Sequence, residues 1–246
     1  MIQLEIQALS KAGIVRDNNE DMVSLGGVLL RDDEMAFPVE LDDESQFYLL
    51  VADGMGGHEF GERASQELLE YFSECFRERR FGETDIEETL QSQVRAFSDR
   101  LNLQAREEGQ LRPMGCTLTG VVWSGGRTYL LNAGDSRTYR FRNGILRQLT
   151  QDETERAITG NPYGSKGLLN CIGGGCEGNL TVEDLTDRLG AGDTLLICSD
   201  GLTDMVPDED LERVLSESDH PADELYDLAC RNGGSDNVSV ILAKVF

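Results

Sequence analysis

Short apolar runs that end in turn residues recur along the chain and limit the folds open to it. We interpret each run as a β-strand; the runs are Phe47–Ala52, Thr117–Trp123, Thr128–Ala133, Arg137–Phe141, Thr194–Cys198 and Val238–Phe246. Only three residues separate the third run from the fourth, which suits a hairpin, whereas a βαβ crossover needs about a dozen or more. The strands therefore predict antiparallel sheets.

Between the first two of these strands, apolar residues recur at helical spacing in two segments. The apolar faces consist of Ala64, Leu68, Phe72 and Cys75 in the first segment, and of Ile86, Leu90, Val94, Phe97 and Leu101 in the second. Thr84 and Glu87 form a capping box that would open the second helix. Two shorter helices are predicted at Asp208–Leu215 and Ala222–Cys230. Paired helices need a sheet to cover, so we predict an α+β fold, with residues 1–246 as a single domain.

Charge limits the partners of the chain. Acidic residues number 46 against 22 basic ones, for a net charge of −24, which repels nucleic acid and anionic lipid. We interpret the acidic stretch Arg31–Glu44 as a solvated connection between strands. We expect no nucleic-acid partner and no membrane partner.

The sequence also predicts a compartment. It has no apolar run of about 18 residues, and residues 1–10 lack a signal-peptide pattern. The six cysteines include no Cys-x-x-Cys pair, so we expect reduced, mostly buried thiols rather than disulfides or a zinc site. We predict a cytoplasmic protein, and we expect a monomer.

Aspartates next to glycine at strand ends carry the functional argument. Asp53 and Asp200 each follow an apolar run and precede glycine, Asp236 stands just before a strand, and Asp135 lies between two strands. A single Asp-Gly pair after a strand is more often just a turn. Four such carboxylates at one edge of the sheets would repel one another unless cations lay among them. The repetition indicates a cation site.

The ligand type limits the choice of ion. Carboxylate oxygens favour Mg²⁺ or Mn²⁺ over zinc, and the chain has only two histidines, His58 and His220. Calcium remains open on ligand type, although no EF-hand spacing is present.

Six segments of the sequence resemble, in order, the motifs of the type 2C (PPM) metal-dependent protein phosphatases, of the bacterial single-domain type. The segments are Arg16–Asp21, Asp53–His58, Gly115–Thr117, Gly134–Arg137, Ser199–Gly201 and Gly234–Asn237. The resemblance implies a β-sandwich of two antiparallel sheets flanked by pairs of helices, in α-β-β-α layers. It also implies hydrolysis of phosphoserine and phosphothreonine in proteins.

The matching motifs imply a centre with two Mn²⁺ or Mg²⁺ ions. By resemblance, Asp53 bridges both ions, the carbonyl of Gly54 binds one of them, and Asp200 and Asp236 bind the other. A water that bridges two cations loses its proton near neutral pH and can attack phosphorus in line.

Three further acidic residues match the family's pattern. Glu20 and Asp21 resemble the pair that orders metal-bound waters. Asp135 is similar to the residue that holds a third, weaker metal in bacterial relatives.

Arg16 and His58 match catalytic positions. Arg16 matches the phosphate clamp, because a guanidinium binds two phosphate oxygens in a fixed geometry; the alternative is a surface ion pair. His58 is the candidate acid for the leaving alkoxide, with an unperturbed pKa of about 6.5. The alternative for His58 is a structural role at the start of a helix.

The segment that relatives use as a flap matches only in part. Thr150–Glu153 departs from a Thr-x-Asp-His pattern, and the arginine expected near Leu169–Gly173 is missing. The partners implied are phosphorylated proteins and a cognate bacterial serine/threonine kinase, which in some relatives controls a secretion system. The alternative is a pseudophosphatase that binds phosphoproteins or a kinase without turnover.

Overall fold

The computed structural model describes residues 1–57, 59–78, 86–110, 113–161 and 163–246. Its strands, in chain order, are β1 (Ile2–Lys11), β2 (Met22–Leu25), β3 (Val28–Leu30), β4 (Asp33–Leu41), β5 (Gln46–Ala52), β6 (Gly54–Met55), β7 (Gly115–Cys116), β8 (Leu118–Ser124), β9 (Arg127–Ala133), β10 (Arg137–Arg142), β11 (Ile145–Gln148), β12 (Ile172–Gly173), β13 (Thr181–Asp184), β14 (Thr194–Cys198) and β15 (Val238–Val245). Its α-helices are α1 (Glu59–Glu78), α2 (Ile86–Glu107), α3 (Glu155–Thr159), α4 (Asp200–Thr203), α5 (Asp208–Glu217) and α6 (Pro221–Arg231).

Two six-stranded sheets form the centre of the molecule. The first has the order β11-β10-β14-β15-β1-β4 and the second β13-β9-β8-β5-β2-β3. Neighbouring strands in both sheets run antiparallel, as the hairpin spacing predicted. A small three-stranded sheet of order β12-β7-β6 lies beside them.

Three layers of buried apolar side chains hold these elements together. One lies between α1, α2 and the second sheet, one between the two sheets, and one between the first sheet and α4, α5 and α6. The rings of Tyr71 on α1 and Phe97 on α2 lie 5.2 Å apart, so the outer helices pack on each other as well as on the sheet. The α-β-β-α prediction is confirmed.

The predicted helix faces agree closely with the structure. Ala64, Leu68 and Phe72 are buried, as predicted for α1. Cys75 is only half-buried, and Phe76 is buried in its place, because the buried stripe drifts by one position over the length of the helix. The capping residue Thr84 lies outside the described residues.

The prediction for Arg31–Glu44 was wrong. Residues 33–41 form the edge strand β4, which pairs with β1 over its whole length. Phe37, Val39 and Leu41 alternate inward and pack on the core between the sheets, whereas the acidic residues face solvent. Charge on an exposed edge strand hinders pairing with other chains, and here it also obscured the strand's period.

The six cysteines form no disulfide, and three of them, Cys116, Cys171 and Cys198, are buried. The prediction of mostly buried thiols therefore holds for half of them. Within the described ranges, none of the helices combines the length and the apolar character that a bilayer crossing needs.

Candidate active site

A cavity of about 340 Å³ opens at the ends of the central strands. Its lining residues are Arg16, Glu20, Asp53, Gly54, Met55, Gly56, Gly57, Thr117, Asp135, Lys166, Leu168, Asp200, Asp236 and Asn237. The two sheets deliver the carboxylates from different strands: Asp53 follows β5, Asp200 follows β14 and Asp236 precedes β15. The strand-end aspartates predicted from the sequence therefore share one cavity.

Thr117 connects Asp53 to the turn that carries Asp135. Its hydroxyl accepts a hydrogen bond from the Asp53 amide at 3.0 Å, and its own amide donates to the Asp53 carbonyl at 2.8 Å. The same hydroxyl lies 2.7 Å from the Ser136 hydroxyl. Asp53 is thus held through its main chain, and the neighbour of Asp135 is held through its hydroxyl, while the carboxyl groups of both aspartates line the cavity.

Asn237 organises the other side of the cavity. Its amide nitrogen donates to the carbonyls of Asn18 at 2.8 Å and Ala12 at 3.1 Å, and its amide oxygen accepts from the Glu20 amide at 2.8 Å. A Cβ at Gly201 would lie 1.9 Å from the Asn237 carbonyl oxygen, so the segments that carry Asp200 and Asp236 touch main chain to main chain. Asn237 ends the segment Gly234–Asn237, which matches a family motif, but the resemblance implied no role for it.

Glu20 and Asp21 are anchored behind the carboxylates. The Ser65 hydroxyl of α1 donates to the Glu20 carbonyl at 2.6 Å, and the Arg31 guanidinium donates to the Asp21 carbonyl at 2.9 Å. The Ser199 hydroxyl donates to Asp21 Oδ2 at 2.7 Å, whereas Asp21 Oδ1 has no hydrogen-bond partner. Glu20 lines the cavity, but Asp21 is fully buried and does not.

Burial and mutual repulsion raise the pKa values of these carboxyl groups. Burial, helped by the charges of Asp21 and Asp200, raises the pKa of Asp53 well above its ordinary value. Burial, with the charges of Asp204 and Asp236, raises the pKa of Asp200 to about 6. Burial also raises the pKa of Asp21 and that of Asp135, each to about 7. A cation would reverse these shifts, because it favours the charged form.

The donor set fits hard divalent cations. Among the described residues that line it, the cavity offers carboxylate and carbonyl oxygens and no sulfur or imidazole group except the Met55 thioether. Oxygen donors suit Mg²⁺ and Mn²⁺.

The carboxylates line the cavity but do not converge on a single point. Across the described ranges, the structure does not bring three or more His, Cys, Asp or Glu side chains together at ion-binding spacing. The Asp53 and Asp200 carboxyl groups are in hydrogen-bond contact, whereas Asp236 is turned to Arg16. Arg16 therefore occupies one oxygen of Asp236 that could otherwise face an ion.

Arg16 forms an ion pair in this structure, and its predicted role as phosphate clamp stays a prediction. Its guanidinium donates to Asp236 Oδ2 at 2.6 Å, and both side chains are partly exposed, at 49% and 37%. Exposed pairs of this kind contribute about 0.2–1 kcal/mol, so the guanidinium is held weakly and can turn to a phosphate. His58, the candidate acid, lies outside the described residues.

Two cavity residues had no sequence signal. Lys166 and Leu168 belong to the segment after α3 and reach the cavity from the side. The Lys166 ammonium group binds both carboxylate oxygens of Asp204 at 2.8 Å. Neither residue follows a strand or stands in a motif, so only the folded chain brings them to the site.

Comparison with known proteins identifies the family of the chain. The family profile described as Protein phosphatase 2C matches residues 27–228. The serine/threonine protein phosphatase PstP of Mycobacterium tuberculosis is 36% identical over 98% of this chain, which spans 45% of that relative, about half its length. The serine/threonine phosphatase stp of Listeria innocua is 33% identical, covering 94% of this chain and 92% of the relative.

Solved structures show the same fold. The catalytic domain of PstP in complex with two manganese ions superposes with a TM-score of 0.77 and 34% identity, covering 100% of this chain and 99% of that one. PppA, a key regulatory component of T6SS in Pseudomonas aeruginosa, superposes with a TM-score of 0.76 and 26% identity, covering 99% and 98%. From the profile match, the sequence identity and the shared fold, this chain belongs to the protein phosphatase 2C family of serine/threonine protein phosphatases.

Proposed function

We propose that this chain hydrolyses phosphoserine and phosphothreonine in proteins with two divalent cations, Mn²⁺ or Mg²⁺, and that residues 1–246 form one catalytic domain. The observation that carries the proposal is the cavity that Asp53, Asp200 and Asp236 line together with Arg16. Their raised pKa values support the proposal, because buried carboxylates that repel one another are stabilised by cations.

Each residue has a part in this proposal. Asp53, the carbonyl of Gly54, Asp200 and Asp236 would hold the two cations, and Asp135 a third, weaker one. Bound cations supply Lewis-acid stabilisation of the phosphoryl oxygens and a lowered pKa for water. Glu20 would orient water within the cavity. Asp21, which accepts a hydrogen bond from Ser199, would help to hold Glu20 in place from behind the cavity. Arg16 would orient the phosphate by binding two of its oxygens.

Arg16 links substrate binding to metal binding, which predicts two opposite effects of one substitution. Arg16→Ala should lower kcat/KM for a phosphothreonine peptide by roughly tenfold or more, since a charge-assisted bidentate contact is lost. It should also lower the Mn²⁺ concentration needed for half-maximal activity, because Asp236 loses its competing partner. Kinetics at graded Mn²⁺ concentrations measure both. Arg16→Lys should restore little of kcat/KM, and a parallel loss of substrate and metal affinity would contradict the competition.

His58 can be tested through the leaving group. If its imidazole protonates the departing alkoxide, His58→Ala should slow hydrolysis of phosphothreonine peptides far more than that of para-nitrophenyl phosphate, because para-nitrophenolate leaves without a proton. The measurement is the ratio of kcat values for the two substrates in both proteins. Equal slowing of both would remove His58 from this role.

The proposed activity is tested with purified protein, para-nitrophenyl phosphate and a phosphothreonine peptide. Hydrolysis should require Mn²⁺ or Mg²⁺, stop on chelation and return when the metal is added back. Activity that persists in chelator would overturn the metal-dependent function. Phosphopeptide binding without turnover at any metal concentration would instead support the pseudophosphatase alternative.

The cellular setting is proposed by analogy with the relatives. We place the chain in the cytoplasm, where reducing conditions suit its free thiols, opposite a serine/threonine kinase. The likeness to PppA motivates a secretion system as one setting. Comparing phosphoproteomes with and without the gene tests this: loss of the protein should increase phosphorylation of a small set of sites that depend on one kinase.

A further inference from the structure

A second cavity adjoins the candidate active site and is larger, at about 540 Å³. Asp135, Lys166 and Asp200 line both cavities, so the two lie side by side and share part of their walls. The other walls come from α3 and its flanks and from α4, including Asp152, Arg156, Gly160 and Asp204. Asp135 and Asp200 belong to the proposed metal site, but neither that site nor the proposed reaction uses the other residues that line the second cavity.

Most of its charges are already paired. Arg137 donates two hydrogen bonds to the carboxylate of Asp152, at 2.8 and 2.6 Å, and Lys166 binds Asp204. Asp135 and Asp200 face the proposed cations. Arg156 differs from these residues, because no carboxylate among the described residues pairs with its guanidinium. Once the cations are bound, Arg156 is the uncompensated charge of the cavity, and that charge is positive.

The chain holds Arg156 in place through its main chain. It lies in the first turn of α3, whose N-cap Thr154 accepts a hydrogen bond from the Ala157 amide. Its own amide donates to the Ser165 carbonyl at 3.0 Å. The backbone of Arg156 is therefore fixed while its side chain stays free to bind a ligand. A fixed backbone reduces the entropy lost on binding.

The same segment is suited to contact with a peptide. Three large apolar side chains on it are solvent-exposed, Ile158 at 56%, Tyr163 at 94% and Leu169 at 54%. An extended peptide advances about 3.3–3.6 Å per residue, so a chain whose phosphoresidue occupies the active site reaches the adjoining cavity within a few residues.

We propose that the second cavity is a specificity subsite in which Arg156 binds an anionic side chain close in sequence to the phosphoresidue being hydrolysed. This inference rests on the proposed phosphatase function and names its substrate class: phosphoproteins with an acidic or second phosphorylated residue beside the site of dephosphorylation. Carboxylates and phosphates share the chemistry that a guanidinium recognises.

The test compares peptides that differ at one position. A set of phosphothreonine peptides carries alanine, aspartate, arginine or a non-hydrolysable phosphoserine analogue at each of the three positions on either side of the phosphothreonine. For the wild type with Mn²⁺, kcat/KM should be roughly fivefold higher for an anionic residue than for alanine at one position, the scale of a partly exposed ion pair. The gain should appear in KM rather than kcat, because the contact forms in both ground and transition states.

Two variants isolate Arg156. Arg156→Gln should reduce the ratio of anionic to alanine kcat/KM to about one, whereas Arg156→Lys should keep part of it. Arg147→Gln is the matched control, because Arg147 is an exposed arginine on β11 that lines neither cavity, and its ratio should equal that of the wild type.

The possible outcomes distinguish a failure of the proposed subsite from a failure of the proposed phosphatase function. A gain with the phosphoserine analogue alone would identify a second phosphate as the ligand, and a gain with aspartate as well would include carboxylates. Equal rates for all peptides, a preference for arginine, or an equal loss of the ratio in Arg147→Gln would overturn the subsite while the phosphatase function stands. No turnover of the alanine peptide would overturn both.

Discussion

We expect Asp200→Asn to lower kcat/KM for metal-dependent hydrolysis by at least about a thousandfold, because the proposed centre would lose a charged ligand and part of its Lewis-acid stabilisation together. Asparagine has nearly the same shape, and its amide oxygen can still accept a hydrogen bond from Asp53, as the Asp200 carboxylate does. The substitution therefore removes charge and little else. Asp53→Asn should have an effect at least as large, since Asp53 is the residue proposed to hold both cations.

The matched control is Asp187→Asn, the same chemical change at an exposed aspartate that lines neither cavity. It should keep wild-type kcat/KM with both para-nitrophenyl phosphate and a phosphothreonine peptide. An Asp200→Asn protein that folds and retains more than a tenth of wild-type activity would show that Asp200 is not a metal ligand, and would remove it from the centre.

The same substitution should stabilise the protein once metal is removed. In chelator near pH 7.5, Asp200 is forced to ionise among other buried carboxylates, although its pKa in the folded chain is about 6. A neutral asparagine avoids that cost, which is on the order of 2 kcal/mol after discounting for the part of the side chain that faces solvent. For a chain of this length, we expect Tm to rise by about 4–8 °C in thermal unfolding.

The sign of the pH dependence follows from linkage. An aspartate in the unfolded chain has a pKa of about 3.9, and folding raises that of Asp200 to about 6. Between these values the folded state binds more protons, so the contribution of Asp200 to stability is full below pH 4 and is lost as the pH rises toward 6. The Tm difference between Asp200→Asn and wild type should therefore be near zero at about pH 4 and reach its maximum above about pH 7.

Adding Mn²⁺ should reverse the order of the two proteins. Wild-type Tm should rise with Mn²⁺ concentration, because a ligand that binds the folded state stabilises it by mass action, whereas Asp200→Asn should respond much less. A wild type more stable than Asp200→Asn in chelator at pH 7.5 would contradict the proposed repulsion among the carboxylates.

The sequence predicted the inner strands and the helices well, because buried runs and amphipathic faces have clear periods. It failed at β4, where exposed acidic residues and Pro38 interrupt the alternation of Phe37, Val39 and Leu41. The sequence prediction also missed β1. This segment is recognisable as a strand only in the fold, where β4 and β15 pair on its two sides. Such edge and near-edge strands depend on partners that are distant in the chain.

The candidate site was predictable where strand ends carried a motif. Asp53, Asp135, Asp200 and Asp236 were identified in this way and share the cavity. The Arg16–Asp236 ion pair was weighed only as an unnamed alternative for Arg16, and the cavity positions of Lys166 and Leu168 were missed, because these depend on how loops pack rather than on local pattern. Asp21 was predicted beside Glu20, but its burial behind the cavity follows from the Ser199 contact between segments 178 residues apart.

The contact between Gly201 and the Asn237 carbonyl has a consequence for ion choice. It acts as a rigid spacer, since no side chain fits at position 201 and neither main chain can approach further. Asp200 and Asp236 must then adapt to ions of different radius through side-chain torsions alone. A centre built on such a spacer should discriminate among divalent ions by size, and the larger Ca²⁺, although it also prefers oxygen donors, should compete poorly with Mn²⁺.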